Sequence, residues 1–131
     1  MLKASRTAQK YVISRFFTQK PLLLTHFLTS KCNCKCKICD IWYKKYETQE
    51  MTTTEIYHML DQAKKLNFVA YVMWGGEALL RPDALNVLEY AFNRGFYTSL
   101  ITNGTLLPQK SEEIAKVVDL TWVSLDYNSE Y

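Results

Sequence analysis

The sequence predicts an α/β fold in which short parallel strands alternate with helices. Beyond residue 21, apolar segments rich in β-forming residues alternate with segments of helical periodicity. The predicted strands are apolar almost throughout, which is typical of a parallel sheet that is covered on both faces. A polar or glycine-containing segment follows each predicted strand. Right-handed helical crossovers would bring these segments together at the carboxyl edge of the sheet, where ligands of such folds bind.

The first predicted element is a basic helix over residues 2–19, which ends before Pro21. The first 39 residues contain eight of the 16 lysines and arginines and none of the 13 acids. We interpret this stretch as a solvated amphipathic helix that leads into the domain. An organellar targeting arm, or a surface that attracts anions, is the alternative interpretation.

Residues 22–29 are the first predicted strand, because they form a short apolar run that contains two threonines. The polar segment 30–40, which we call the cysteine loop, follows directly. Thr52 and Glu55 then form a capping-box pattern at the start of a helix whose apolar residues recur at helical spacing. Residues 68–74 are the second predicted strand, and two glycines end it.

The alternation continues to the end of the chain. Pro82 is suited to the first turn of a helix that would end at Gly95. Residues 96–102 are the third predicted strand, which the following Asn-Gly pair ends. Ser111 is predicted to cap a short helix, and residues 120–125 are the fourth predicted strand.

Composition and charge exclude several classes of protein. The chain has 131 residues, of which 48% are hydrophobic and 22% charged, as in a globular domain. The longest apolar runs are a few residues, so no membrane span is expected. Arg15 and Lys20 interrupt the apolar residues near the start, which argues against a cleaved secretory signal. The net charge of +3 does not indicate a nucleic-acid binder. We expect the protein to be located in the cytoplasm.

All four cysteines fall within eight residues of the cysteine loop: Cys32, Cys34, Cys36 and Cys39. Disulfides between cysteines this close would restrain the chain very little, so a metal site in a reducing compartment is the better interpretation. The C-x3-C-x2-C spacing offers three soft thiolates for an iron–sulfur cluster or zinc. With three thiolates, one iron of a four-iron cluster has no protein ligand and can bind a small molecule. A structural zinc site built from all four cysteines remains the alternative, although it would be cramped.

The segment 32–39 resembles the signature of the radical S-adenosylmethionine (SAM) superfamily. Three later motifs resemble that family in the same order, and the resemblance covers about residues 22–127. It is closest to the subgroup of molybdenum-cofactor biosynthesis enzymes and peptide-modifying maturases. The three motifs are Gly75-Gly76-Glu77, Thr102-Asn103-Gly104 and Ser124-Leu125-Asp126.

The resemblance implies a parallel-strand partial (β/α) barrel of the radical SAM type. Only the first four strands of the family's six strand–helix units are present, so residues 22–131 are expected to be a core domain that is incomplete at its C-terminal end. Residues 1–21 would be the basic helix that precedes it. We therefore expect a fragment or a truncated reading frame. Ala78 also departs from the proline that usually follows Gly-Gly-Glu in the family.

The resemblance further implies a 4Fe-4S cluster ligated by Cys32, Cys36 and Cys39, with SAM chelating the fourth iron. One electron, from a donor such as ferredoxin or flavodoxin, would cleave SAM to a 5′-deoxyadenosyl radical that abstracts hydrogen from a substrate. The sequence does not identify that substrate. The alternatives are a non-catalytic iron–sulfur or zinc-binding module and an inactive truncated remnant.

Seven residues are implied contacts of SAM. The backbone of the Gly-Gly-Glu turn would approach the methionine ammonium, which a Cβ atom would obstruct. An apolar side chain before the third cysteine would contact adenine, and a serine after the fourth strand would bind SAM by a hydrogen bond. Cys34 is interpreted as a small buried hydrophobe rather than a ligand. The implied contacts are Ile38, Gly75, Gly76, Glu77, Thr102, Asn103 and Ser124.

Several other conspicuous residues have structural interpretations. His26 and His58 are expected to be structural, and Trp74 is expected to pack in the core beside the Gly-Gly turn. Asp126 is expected to cap a helix. The aromatic residues that follow the cysteine loop could either cover the cofactor or pack under the loop: Trp42, Tyr43 and Tyr46.

Overall fold

The computed structural model describes residues 8–9, 12–13, 21–44 and 49–125. A single parallel sheet has the strand order β1-β2-β3-β4, and each strand pairs with the next along the chain. The strands are β1 (Leu23–Phe27), β2 (Ala70–Trp74), β3 (Tyr97–Thr102) and β4 (Leu120–Val123). Beyond β1, the helices are α1 (Thr53–Lys65), α2 (Ala84–Asn93) and α3 (Leu107–Val117), with a 3-10 turn at Ala78–Leu80. The predicted α/β class and the parallel pairing are confirmed.

Helix α1 begins as the sequence predicts. The Thr52 hydroxyl accepts a hydrogen bond from the Glu55 N–H at 3.3 Å, and the Glu55 carboxylate accepts one from the Thr52 N–H at 2.7 Å. These two bonds satisfy N–H groups that have no partner within the helix. The predicted start of α3 is wrong. That helix begins at Leu107 rather than after Ser111, because Pro108 lies in its first turn and is already held at a helical φ.

The core lies between the helices and one face of the sheet. Alternate residues of β2, Tyr71 and Met73, are fully buried on this face. Phe96 and Leu100 complete the β3 side of the core. The residues that α1, α2 and α3 bury against them are Ile56, Leu60, Ala63, Ala84, Val87, Leu88, Ala91 and Ile114.

The opposite face of the sheet carries large apolar side chains that are partly exposed. Trp74 is 38% exposed and contacts Phe27 edge-on, with ring centroids 5.0 Å apart. Ile101 and Trp122 are paired in register on the neighbouring strands and are also exposed. The expectation that Trp74 packs in the core is therefore wrong. Strand alternation places its side chain on the face away from the helices.

Buried His26 is structural, as expected. Its Nδ1 atom lies 2.8 Å from the hydroxyl of Tyr71, which is fully buried. Burial, assisted by the positive charge of Arg81, lowers the pKa of His26 below its ordinary value. The imidazole is consequently held in its neutral form within the core.

The predicted N-terminal helix lies mostly outside the described residues. Within it, residues 8–9 and 12–13 are helical, and Val12 and Ile13 are about half exposed. Tyr46 and Asp126 also lie outside the described residues, and the domain boundary at residue 21 stays a prediction. Among the helices that the structure describes, none is both long enough and apolar enough to cross a membrane.

Candidate functional site

The cysteine loop, which follows β1, and the carboxyl ends of β2, β3 and β4 meet at one cavity of about 330 Å³. The three predicted cluster ligands Cys32, Cys36 and Cys39 line it, together with Cys34. The convergence of four motifs that are distant in sequence follows from the parallel topology. Six of the seven residues predicted to contact SAM line the same cavity: Ile38, Gly75, Gly76, Thr102, Asn103 and Ser124.

The Gly75-Gly76 turn packs directly against the backbone that enters the cysteine loop. The Gly76 N–H donates to the Thr29 carbonyl at 2.8 Å, and the N–H of Glu77 donates to the Lys31 carbonyl at 2.8 Å. A Cβ atom on Gly75 would lie 2.5 Å from the Thr29 oxygen, and one on Gly76 would lie 2.4 Å from the Lys31 oxygen. Both glycines are therefore required by contacts within the protein. Their contact with SAM stays a prediction.

Glu77 is the one predicted contact whose side chain does not line the cavity. It is fully buried, and its carboxylate accepts hydrogen bonds from the Thr102 hydroxyl at 2.9 Å and the Asn103 N–H at 2.8 Å. The Leu79 N–H also donates to it at 3.2 Å. These donors offset the cost of burying a carboxylate. The Glu77 side chain thus ties the end of β2 to the end of β3, and any contact with SAM falls to its backbone.

Arg81 holds both ends of the segment that contains the cysteine loop, a role that the sequence analysis missed. Its guanidinium donates to the carbonyl of Leu28, before the loop, at 3.2 Å and to the carbonyl of Met51, after it, at 2.7 Å. Asp83 accepts two further bonds from it, at 2.7 and 2.9 Å. The planar fork of an arginine allows these contacts at once. The only sequence signal is the position of Arg81 shortly after the Gly-Gly-Glu motif.

The cysteines differ in exposure, and all four thiols are free. Cys36 is exposed and the other three are half-buried. The Cys34 N–H donates to the Cys32 sulfur at 3.4 Å, and burial, followed by the neighbouring thiols Cys32 and Cys36, raises the pKa of Cys34. Among the described residues, no three His, Cys, Asp or Glu side chains are grouped as a single metal ion requires.

The donor set fits an iron–sulfur cluster. The three thiols of the C-x3-C-x2-C motif are the ligand type that such clusters take. They share one cavity with polar groups from three strand ends, so a ligand on an iron without a protein ligand would meet these groups. The assignment of Cys34 as a non-ligand stays a prediction. Its half-buried position at the cavity differs from that of a core hydrophobe.

Three further residues flank the cavity. Ile38 is 84% exposed, so its side chain is accessible to a ligand. The indole N–H of Trp42 donates to the carbonyl of Cys36 at 3.1 Å, which fixes the ring beside the loop. The Ser124 N–H donates to the carbonyl of Thr102 at 2.9 Å, so this residue continues the pairing of β3 and β4 at the cavity.

Comparison with known families identifies this arrangement. A family model described as the radical SAM superfamily matches residues 27–129, which is most of the chain. The chain belongs to the radical SAM superfamily. Members of this superfamily use a 4Fe-4S cluster and SAM, need an electron donor, and act as enzymes. The family that the sequence motifs predicted is confirmed.

Curated relatives resemble the chain over part of their length. It is 34% identical over 112 residues to an AdoMet-dependent heme synthase of Methanosarcina barkeri, a match that covers 83% of this chain and 32% of the relative. It is 31% identical over 103 residues to a tungsten-containing aldehyde ferredoxin oxidoreductase cofactor-modifying protein of Pyrococcus furiosus, with coverage of 76% and 29%. The chain thus spans about a third of the length of these relatives.

Solved structures confirm the fold class. The SAM-bound SuiB structure of Streptococcus suis aligns with a TM-score of 0.71 at 22% identity, over 95% of this chain and 29% of that one. BtrN in complex with AdoMet and 2-DOIA aligns with a TM-score of 0.72 at 19% identity, over 85% and 48%. The described sheet is therefore the predicted parallel-strand partial (β/α) barrel of the radical SAM type.

Proposed function

We propose that this chain is the cluster- and SAM-binding part of a radical SAM enzyme. The observation that carries the proposal is the single cavity shared by the C-x3-C-x2-C cysteines, the Gly-Gly turn and the ends of β3 and β4. When bound, the reduced 4Fe-4S cluster would supply one electron for the cleavage of SAM, which is the chemistry that generates a radical for abstraction of hydrogen from a substrate. The relatives named above differ in their reactions, so the substrate stays open.

The chain's own residues bind and orient the two cofactors. Cys32, Cys36 and Cys39 ligate the cluster. The carbonyl groups of the Gly-Gly turn accept hydrogen bonds from the methionine ammonium, and the backbone of Glu77 completes that turn. The remaining four residues lie along the rest of SAM. Ile38 contacts adenine, Ser124 forms a hydrogen bond with SAM, and Thr102 and Asn103 line the rim of the site.

The proposal includes an acidic one-electron donor of the ferredoxin or flavodoxin type, and the cytoplasm as the location. Lys31 and Lys35 are exposed on the cysteine loop, which also carries the exposed Cys36. Positive charge beside a cluster favours the encounter with an acidic electron carrier. The four free thiols are compatible with a reducing compartment.

Single cysteine variants test the ligand assignment. After anaerobic reconstitution with iron and sulfide, replacement of Cys32, Cys36 or Cys39 by alanine abolishes the brown cluster absorption. The matched control Cys34→Ala retains it, because the same loop loses a thiol that is not a ligand. Loss of the cluster in Cys34→Ala, or its retention in any of the other three variants, contradicts the assignment.

Two alternatives give different results in the same experiment. A zinc-binding module would retain one zinc per chain after anaerobic purification and would lose it in all four variants. An inactive remnant would aggregate whatever the supply of iron. Neither outcome is compatible with the proposed function.

A further inference from the structure

A closed ring of three side-chain hydrogen bonds joins the cysteine loop to the turn after β3. Asn103 Nδ2 donates to Asn33 Oδ1 at 2.8 Å, and Asn33 Nδ2 donates to Thr105 Oγ1 at 2.8 Å. The Thr105 hydroxyl closes the ring by donating to Asn103 Oδ1 at 2.7 Å. We call these three residues the amide latch. Asn33 lies between Cys32 and Cys34, so the latch fixes the arm of the loop that carries the first predicted ligand.

The orientation of the Asn103 amide is determined by its neighbours. The Thr105 N–H donates to Asn103 Oδ1 at 3.0 Å. A backbone N–H can only donate, so the oxygen must face Thr105 and the NH₂ group must face the cysteine loop. The Asn103 N–H is itself bound to the buried Glu77 carboxylate at 2.8 Å. The NH₂ group of Asn103 is therefore already oriented toward the cysteine loop before any ligand binds.

This donor points at sulfur. Asn103 Nδ2 lies 3.3 Å from the sulfur of Cys34 and 4.0 Å from that of Cys32. The Cys34 N–H also donates to the Cys32 sulfur, so two N–H donors surround this predicted ligand. Reduction adds negative charge to an iron–sulfur cluster and its thiolates, and hydrogen bonds to the sulfurs favour the reduced state.

We propose that Asn103 is a positioning residue that raises the reduction potential of the cluster, and that the amide latch aims its NH₂ group at the Cys32–Cys34 arm. The inference rests on the proposed function, since it requires a cluster on Cys32. It adds a second role to a residue that the sequence analysis placed only among the SAM contacts. It also gives a role to Asn33 and Thr105, which the sequence analysis did not select.

Redox titration of the reconstituted full chain, followed by EPR in the absence of SAM, tests the inference. Asn103→Leu keeps roughly the size of the side chain and removes the donor without adding a charge beside the cluster. At the potential where the wild-type cluster is half reduced, we expect the ratio of reduced to oxidised cluster to fall about threefold, as for the loss of one weak hydrogen bond, because Asn103 Nδ2 lies 4.0 Å from the sulfur of Cys32. Asn86→Leu, an identical change at an exposed position of α2, leaves the ratio unchanged.

Thr105→Val tests the contribution of the amide latch while the Asn103 side chain is kept. The valine keeps the shape of the side chain and the backbone N–H that faces Asn103 Oδ1, but it removes the hydroxyl that closes the ring with Asn33. We therefore expect a smaller fall of about twofold. If both latch variants bind as much iron as the wild type and show its ratio of reduced to oxidised cluster, the inference is wrong. The proposed function is not affected by that result. If Asn103→Leu takes up no cluster, Thr105→Val alone decides by the same criterion. A wild-type chain that forms no cluster overturns the proposed function itself.

Discussion

Replacement of Gly76 by alanine is the most direct test of how the cysteine loop is held. The added Cβ atom would lie 2.4 Å from the Lys31 oxygen, 2.8 Å from the Lys31 carbonyl carbon and 2.9 Å from the Ser30 oxygen. All three atoms belong to the backbone, so no side-chain rotation relieves the overlap. The loop must move by about 1 Å to restore ordinary van der Waals contact.

The expected cost follows from that displacement. Forced shifts in a packed site cost about 1–3 kcal/mol. The shift also breaks the hydrogen bond from the Glu77 N–H to the Lys31 carbonyl, now 2.8 Å long, which contributes about 1 kcal/mol. Together these terms lower the free energy of unfolding by about 2–4 kcal/mol, which corresponds to a fall of about 10 °C in Tm for a domain of this size.

Thermal unfolding followed by circular dichroism measures this loss, and iron content after reconstitution reports the loop. Gly95→Ala is the matched control, since a Cβ there meets only the end of the Lys64 side chain at 3.5 Å. Gly95 has a φ of +78°, so alanine costs about 1 kcal/mol through backbone strain alone. If Gly76→Ala is as stable as Gly95→Ala and binds as much iron, the proposed packing of the loop is wrong.

Three further predictions concern polar groups that are buried or partly buried. Glu77→Gln lowers the free energy of unfolding by about 1–3 kcal/mol. A backbone N–H faces each carboxylate oxygen, so the new NH₂ group is placed against an N–H donor in either orientation of the glutamine amide. An unchanged urea midpoint contradicts this prediction. Burial and Arg81 lower the pKa of His26 in the folded state, so the unfolded chain takes up a proton at a higher pH than the folded chain does. The free energy of unfolding therefore declines as the pH falls below about 6.5, and the decline ends once the pH is below the folded pKa. Urea midpoints between pH 7 and 5 check this, and His26→Gln removes the decline while the exposed-site control His58→Gln keeps it. Arg81→Lys keeps the positive charge, but a lysine cannot contact two carbonyls and a carboxylate at once, so we expect iron uptake to fall at least about twofold. Wild-type iron content in this variant would refute the role of the guanidinium.

Local patterns in the sequence predicted most of the fold. The capping box at Thr52 appears in the structure because its two hydrogen bonds join residues three apart, within one helical turn. The start of α3 was predicted wrongly because Ser111 and Pro108 are both start signals, and the proline comes first in the chain. The exposure of Trp74 could not be predicted, since its strand is apolar on both faces and only the packing of the helices decides which face is covered.

The site was predictable only where its chemistry is local. The cysteine spacing is confined to eight residues and therefore indicates a metal centre directly. The contacts that hold the centre join residues far apart in the chain, such as Arg81 to Leu28 and Asn103 to Asn33, and no spacing rule connects them. The glycine pair shows the same limit. The sequence indicates that a Cβ atom is excluded, whereas only the structure shows that the backbone of the cysteine loop excludes it.

The binding of SAM to a cluster held by this cavity can be measured directly. The chain is reconstituted without oxygen, the cluster is reduced, and its EPR spectrum is recorded before and after SAM is added. A shift of the g values and line shape is the predicted result, because SAM would bind the iron that lacks a cysteine. A cluster that forms in full yield and keeps the same spectrum at saturating SAM would mean that no vacant iron faces this cavity.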